Sequence, residues 1–304
     1  MRLARMFLAA LLLLSTCLAE TVNYVYDNAG RLIHVTYASS GKSVFYNYDQ
    51  AGSLLRRLIA TVQPGAAPSI PLAGVVNAAS FVGGPVAPGE LVTLFGTGIG
   101  PPSLVGLIVP RPGFIDNVLS DTLVLFDGMP APMIYASANQ TTAIVPYAVA
   151  GKPSTQLQVQ FQGRLSPAVT LPVAAAAPAL FAFNASGSGG GAILNQDSSL
   201  NTASTPADKG SIVVLFGTGE GQTTPAGVDG KLAAGVLPKP AQPVSVTIDG
   251  KAAELIYAGA APTLVAGVVQ INVRVPADAS SGNLPVVVKV GNAASQNGLT
   301  VAVR

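Results

Sequence analysis

The 304-residue sequence has no tryptophan, one cysteine and one histidine, and only 10% of its residues are charged. With His34 as the sole imidazole, a Ser/His/Asp triad or a multi-histidine metal site would have to be built around it. His34 stands between Ile33 and Val35 in a predicted strand, where a plain strand-face role is expected. The single cysteine, Cys17, cannot form an intramolecular disulfide, so burial alone must hold the fold. Without tryptophan, ring stacking on sugars has little to draw on, and Tyr135, Tyr147 and Tyr257 are the only tyrosines beyond residue 71. After the first twenty residues no apolar run approaches the roughly 20 residues that cross a bilayer, so no membrane span is expected.

What is present begins with an export signal. Arg2 and Arg5 precede the apolar run Met6 to Leu14 and the small-residue stretch Ser15 to Ala19, the three-part pattern of a secretory signal peptide. Cleavage after Ala19 leaves Glu20 at the mature N-terminus. The competing reading is a lipoprotein, because Leu14-Ser15-Thr16-Cys17 resembles a lipobox, with Thr16 a poor residue before a lipidated cysteine. Loss of Arg2 and Arg5 leaves 14 basic against 14 acidic residues. A formally neutral chain has no field to draw in nucleic acid or anionic lipid, so no nucleic-acid partner is expected.

The expected organisation is a signal peptide (1–19), a β-meander (20–60), a Pro/Ala-rich linker (61–71) and two related β-sandwiches (72–173 and 174–304). In the first mature part, Tyr24-Val25-Tyr26-Asp27-Asn28-Ala29-Gly30 recurs as Tyr46-Asn47-Tyr48-Asp49-Gln50-Ala51-Gly52, a period of 22. Tyrosine-rich strands running into Asp-x-x-Gly turns predict an antiparallel meander. The spacing resembles the tyrosine-aspartate repeats of the RHS family, with Ser53 where that pattern usually has Arg. Two such units cannot close a shell and need something to pack on.

A longer repeat covers the rest of the chain. Asn77-Ala78-Ala79-Ser80 answers Asn201-Thr202-Ala203-Ser204, and Leu94-Phe95-Gly96-Thr97-Gly98 returns as Leu215-Phe216-Gly217-Thr218-Gly219. Asp127-Gly128 matches Asp249-Gly250, Ile134-Tyr135-Ala136 matches Ile256-Tyr257-Ala258, and Val145-Pro146 matches Val275-Pro276. Offsets of 121 to 124 early and 130 later indicate a duplicated unit whose second copy gained a loop near Ala258 to Val268. Apolar residues alternate with polar ones at Leu157, Val159 and Phe161 and at Val269, Ile271 and Val273, the period of half-buried strands. The Asp-Gly pairs suit two-residue hairpins. The expected fold is all-β, two tandem immunoglobulin-like sandwiches that superpose with Leu94 on Leu215 and Asp127 on Asp249, joined through Ala174 to Ala177 and Pro178.

Pro88 to Gly98, then Asp127-Gly128 with Ala131, then Val145-Pro146, resembles the IPT/TIG immunoglobulin-like domain. More closely, Val75-Val76-Asn77-Ala78-Ala79-Ser80-Phe81 through Gly191-Ala192-Ile193-Leu194-Asn195-Gln196-Asp197 to Val301-Ala302-Val303 is similar to the C-terminal domain family named for Solibacter. Ser198 stands where that family more often has Gly. The resemblance implies the C-terminal part of an exported protein, with no assigned activity.

No catalytic, cofactor-binding or metal-ligating residues are expected. Asp27, Asp49, Asp127 and Asp249 have turn roles, whereas Glu20, Glu90, Glu220 and Glu254 share no pattern. The glycines at 96–100 and 217–221 read as turns, since no helix follows to receive a phosphate, and the 187–191 run reads as a loop. Asn195 to Asn201, with Asp208 nearby, collects oxygens but supplies fewer carboxylates than a calcium loop needs. The expected function is an exported structural or adhesive module that meets an extracellular or cell-envelope protein or glycan. The alternatives are a carbohydrate-binding or substrate-docking module and, behind it, a glycoside hydrolase whose acidic pair forms only on folding. Intact-mass measurement on exported protein should give a chain starting at Glu20; a diacylglyceryl adduct on Cys17 would instead establish a lipid anchor.

Overall fold

A computed structural model describes residues 21–304 apart from 27–28, 39, 49–51 and 62–64. The expected signal peptide and the Asp27 and Asp49 expected at turns thus lie outside the described residues. The fold is all-β, as expected: four antiparallel strands, Val22–Tyr26, Leu32–Tyr37, Lys42–Tyr48 and Leu54–Thr61, form a meander in chain order, and two sandwiches follow. No described residue is in an α-helix.

The meander covers a sandwich. In Thr122–Phe126 every residue is buried, because both faces of its sheet are covered. Val124 and Phe126 point into the first sandwich's core, while Leu123 and Leu125 meet Phe45, Leu58 and Val118 on the other side. The alternation expected at Leu157 to Gln162 is therefore interrupted: Gln160, opposite Leu123, is buried too. His34 is buried by the same packing, its ring stacked on Phe45 at 4.0 Å and its Nε2 3.2 Å from the Thr36 hydroxyl. Burial pushes its pKa down to about 4, so it is a neutral packing residue at pH 7.

The stretch read as linker ends inside the first sandwich. Ser69 and Thr97 exchange backbone hydrogen bonds of 3.0 and 2.9 Å, and Ile70 belongs to the core. This crossing explains the first glycine of each copy better than a turn does, while Gly98 and Gly219 take the positive φ of turn glycines. A Cβ on Gly96 would collide with the Ser69 carbonyl oxygen, and one on Gly217 with the Ala179 carbonyl oxygen. Each copy of Leu-Phe-Gly-Thr-Gly thus keeps its first glycine so that another strand can cross at backbone distance.

The two copies share register. Leu91–Phe95 pairs with Gln140–Ile144 so that Phe95 faces Gln140 and Leu94 faces Thr141; in Ile212–Thr218, Phe216 faces Gln270 and Leu215 faces Ile271. Both Asp-Gly pairs take positive φ, 51° and 79° at Asp127-Gly128 and 58° and 72° at Asp249-Gly250, the geometry of a type I′ hairpin. Each repeated Ile-Tyr-Ala marks a β-bulge, at Ile134 and at Ile256.

One difference between the copies follows from proline. Lys251–Ala260 is a single strand that pairs with Val244–Ile248 at its start and Val269–Arg274 further on, joining both layers of the second sandwich. In the first copy Pro130 and Pro132 divide the same stretch into Met129–Pro130 and Met133–Ala136, and the two sheets stay separate. Proline supplies no N–H to a ladder.

Gly96→Ala and Gly217→Ala should each destabilise the protein by about 2 kcal/mol or more, because backbone must move. Gly250→Ala meets open space at φ +72° and should cost only about 1 kcal/mol. Urea denaturation midpoints check the ranking, and equal effects at all three positions would contradict the crossing-strand explanation.

Candidate functional site

The residues with the most perturbed chemistry gather where the two sandwiches meet. An apolar cluster spans the seam: Leu91, Ile115 and Ile144 from the first copy with Val265 from the second. Val265 sits in the loop that only the second copy possesses. Through this loop the Thr218 hydroxyl links the copies, accepting from the Leu91 N–H at 2.8 Å and donating to the Gly267 carbonyl at 2.7 Å. The matching Thr97 pairs through its backbone with Ser69, as Thr218 does with Ala179, but only the Thr218 hydroxyl reaches across to the other copy.

Tyr147 is the second fastening. Its N–H donates to Asp229 Oδ1 at 2.9 Å and its carbonyl accepts from Gln222 Nε2 at 3.1 Å. Its ring fills the space that side chains at Gly89 and Gly227 would occupy. Burial, and then the charges of Glu220 and Asp229, drive the phenol's pKa above its usual range, so the hydroxyl stays neutral.

Two carboxyls are buried close to this seam. Glu90, 2% exposed, accepts from Asn77 Nδ2 at 2.8 Å and from the Ala87 N–H at 2.7 Å, and burial lifts its pKa to about 8 despite both bonds. Asp229, which accepts from the Tyr147 N–H, is solvent-exposed and stands apart from them. Glu220 is raised by burial to about 7, and its Oε2 has no hydrogen-bond partner among the described residues. The signal for Glu220 was in the repeat itself: Gly98-Ile99-Gly100 aligns with Gly219-Glu220-Gly221, and Ile99 is a fully buried core residue. The second copy therefore carries an acid where the first carries a core aliphatic.

Asn77 and Asn201, also repeated, are buried brackets. Asn77 Nδ2 donates to Glu90 and to the Ala177 carbonyl at 3.1 Å, and Asn201 Nδ2 donates to Asn195 Oδ1 and to the Ala302 carbonyl at 2.9 Å. Each amide ties its segment to backbone about a hundred residues later, a pairing that local pattern does not reveal.

Two-carboxylate chemistry needs both acids on one cavity. A groove of about 450 Å³ between the copies has Glu90 as its single acid, beside Asn77, Ser80 and Asn297. Glu220 faces a separate apolar void of about 10 Å³ with Leu180, Ile271 and Val288, the space of roughly one water. The geometry keeps Glu90 and Glu220 in separate buried places; it does not make them an acid–base pair across a substrate cleft. Glu254 is on the surface, paired with Arg274 at 2.8 Å.

The remaining candidates are self-contained. In the Asn195 to Asn201 turn, Asp197 Oδ1 accepts from the Ser199 N–H and hydroxyl, and Ser198 takes φ 68°, the conformation a glycine would favour. Asp208 pairs instead with Arg304 at 2.6 Å. No group of three or more His, Cys, Asp or Glu side chains arranged for a metal occurs among the described residues. The 187–191 run is more than a loop, since Gly189–Gly190 pairs in parallel with Leu299–Val303.

No protein-family model matches this chain, and no curated protein does either. Among solved structures it is similar to SGBP-B of the Bacteroides ovatus mixed-linkage glucan utilization locus, at 14% identity and TM-score 0.31 over 95% of this chain and 62% of that one. It is also similar to the plexin A4 extracellular region, at 14% identity and TM-score 0.27, and to the I9–I11 tandem of titin, at 9% identity and TM-score 0.20. The chain spans 15% of the plexin chain's length and 74% of the titin tandem's.

The buried acids set the pH dependence of stability. A carboxyl whose pKa is raised on folding stabilises fully below its unfolded value, and that contribution disappears as pH rises through the folded value. With Glu90 and Glu220 raised to about 8 and 7, the melting temperature should be highest near pH 4 to 5 and fall toward pH 8. On the acid side, Asp249, held below its usual range by the Ser280 hydrogen bonds, loses its contribution only as pH drops further. Glu220→Ile, copying Ile99, should raise stability by roughly 1–3 kcal/mol at pH 8 and much less at pH 4.5. A pH-independent effect in thermal melts would remove Glu220 from the account.

Proposed function

We propose that this chain is an exported, non-catalytic module that holds two immunoglobulin-like sandwiches in one fixed orientation for assembly at the cell surface or outside the cell. The observation that carries the reading is the seam. Main-chain groups of one copy are bonded to side chains of the other at Thr218, Asp229 and Gln222, over a shared apolar cluster. A freely jointed pair would leave these groups to water. A fixed pair of sandwiches transmits position and presents loops at a set distance, which suits a spacer or adhesive element. The export pattern at residues 1–19 and the resemblance of residues 75–303 to a C-terminal domain family of exported proteins support the same reading. The RHS-like meander covers the outer face of the first sandwich at Leu123 and Leu125.

Two measurements test the proposal. Purified mature protein should retain envelope proteins or glycans in a pull-down from cell-envelope fractions and should turn over none of a panel of glycoside, ester and peptide substrates. Val265→Asp should loosen the seam, giving a larger radius of gyration by X-ray scattering and faster hydrogen exchange at Leu91 and Tyr147 while each sandwich stays folded. Hydrolysis abolished by Glu90→Gln, or unchanged scattering in Val265→Asp, would overturn the catalytic and the rigidity halves respectively.

A further inference from the structure

We infer that the second sandwich carries a binding subsite for one ring of an uncharged sugar, built around Phe183. The inference goes beyond the spacer role and does not depend on it.

Phe183 is 64% exposed, unusual for a ring that would gain about 2 kcal/mol or more by burial. The chain does not leave it loose. Its N–H donates to the Gly190 carbonyl at 2.9 Å, and the preceding Ala182 is buried and bridged to Gly191. Beyond it, Asn184 Oδ1 accepts from the Ser186 N–H at 3.1 Å and hydroxyl at 2.7 Å, closing a tight turn in which Ala185 takes φ 53°. Gly187, at φ +78°, then runs so close to the Ser80 carbonyl that no side chain fits. The ring is therefore displayed by an ordered loop, with little entropy left to lose on binding.

It stands at the rim of a cavity of about 210 Å³ lined also by Asn184, Gly190, Thr202, Asn283 and Thr300. No charged side chain lines this cavity, which disfavours an ionic ligand. Hydrogen-bonding capacity is left over on both sides. Asn184 has spent its carbonyl oxygen but not its NH₂, and the Asn283 amide makes no side-chain hydrogen bond among the described residues. An apolar ring face beside free amide donors and acceptors matches the amphipathic surface of a pyranose, with C–H groups on one face and hydroxyls round the edge. The volume fits one sugar ring. The sequence alone did not reveal the site, because its aromatic is a phenylalanine in a Gly/Ser-rich stretch and its amides come from separate strands.

Native gel electrophoresis of the mature chain through soluble neutral glucan, xylan and galactomannan, with polygalacturonate as the charged control, tests the inference. At least one neutral polymer should retard the wild type, and titration calorimetry with an oligosaccharide of that polymer should give a measurable Kd. Phe183→Ala should weaken binding tenfold or more with little change in melting temperature, Asn283→Ala should weaken it several-fold, and Phe183→Tyr should preserve it. Retention by none of the neutral polymers, retention only by polygalacturonate, or equal retention of Phe183→Ala would overturn the subsite. Because Phe183 is remote from Val265 in sequence and belongs to none of the seam contacts, X-ray scattering of Phe183→Ala should match wild type, so failure here is distinguishable from failure of the rigid-module reading.

Discussion

The contact on which the structure most depends is a hydroxyl shared between copies. Thr218 Oγ1 accepts from Leu91 and donates to Gly267 in the same buried spot, which fixes the second copy's extra loop against the first copy's strand. Apolar burial around Leu91, Ile115, Ile144 and Val265 supplies several kcal/mol without direction. The hydroxyl and the Tyr147 main-chain bonds give that burial a single geometry, since unpaired N–H and C=O groups in such a seam would each be costly.

Duplication followed by local divergence explains where the interesting chemistry lies. Hairpin turns, bulges and crossing glycines are common to both copies because they make the sandwich. Departures from symmetry are concentrated at the seam: the loop bearing Val265 and Gly267, Glu220 in place of Ile99, and Thr218 turned to a partner that Thr97 does not have. A duplicated fold needs its copies alike inside and unlike where they meet.

Much of the fold was legible in the sequence because it rests on local rules. Period-two alternation marked the strands, and Asp127-Gly128 and Asp249-Gly250 marked hairpins whose positive φ values the structure repeats. What escaped were effects of distance. Gly96 and Gly217 looked like turn glycines because the strand that crosses them starts far away in the chain. Gln160 looked like a wet-face residue because the covering meander is a separate segment. Of the candidate site, the absence of a histidine cluster was readable, whereas Glu90 and Glu220 were dismissed as patternless. Comparing the two copies position by position would have singled out Glu220, but nothing local announces the burial of Glu90 or the exposure of Phe183.

The raised carboxyls at the seam also make folding a proton-consuming reaction. At pH 7 the unfolded chain holds Glu90 and Glu220 ionised, while the folded chain keeps Glu90 protonated and Glu220 partly so, so about one to two protons are drawn from solvent as the chain folds. The heat of folding measured near neutrality therefore includes the ionisation heat of whatever buffer gives up those protons. A medium more acidic than pH 7 lowers the free-energy cost of closing the seam.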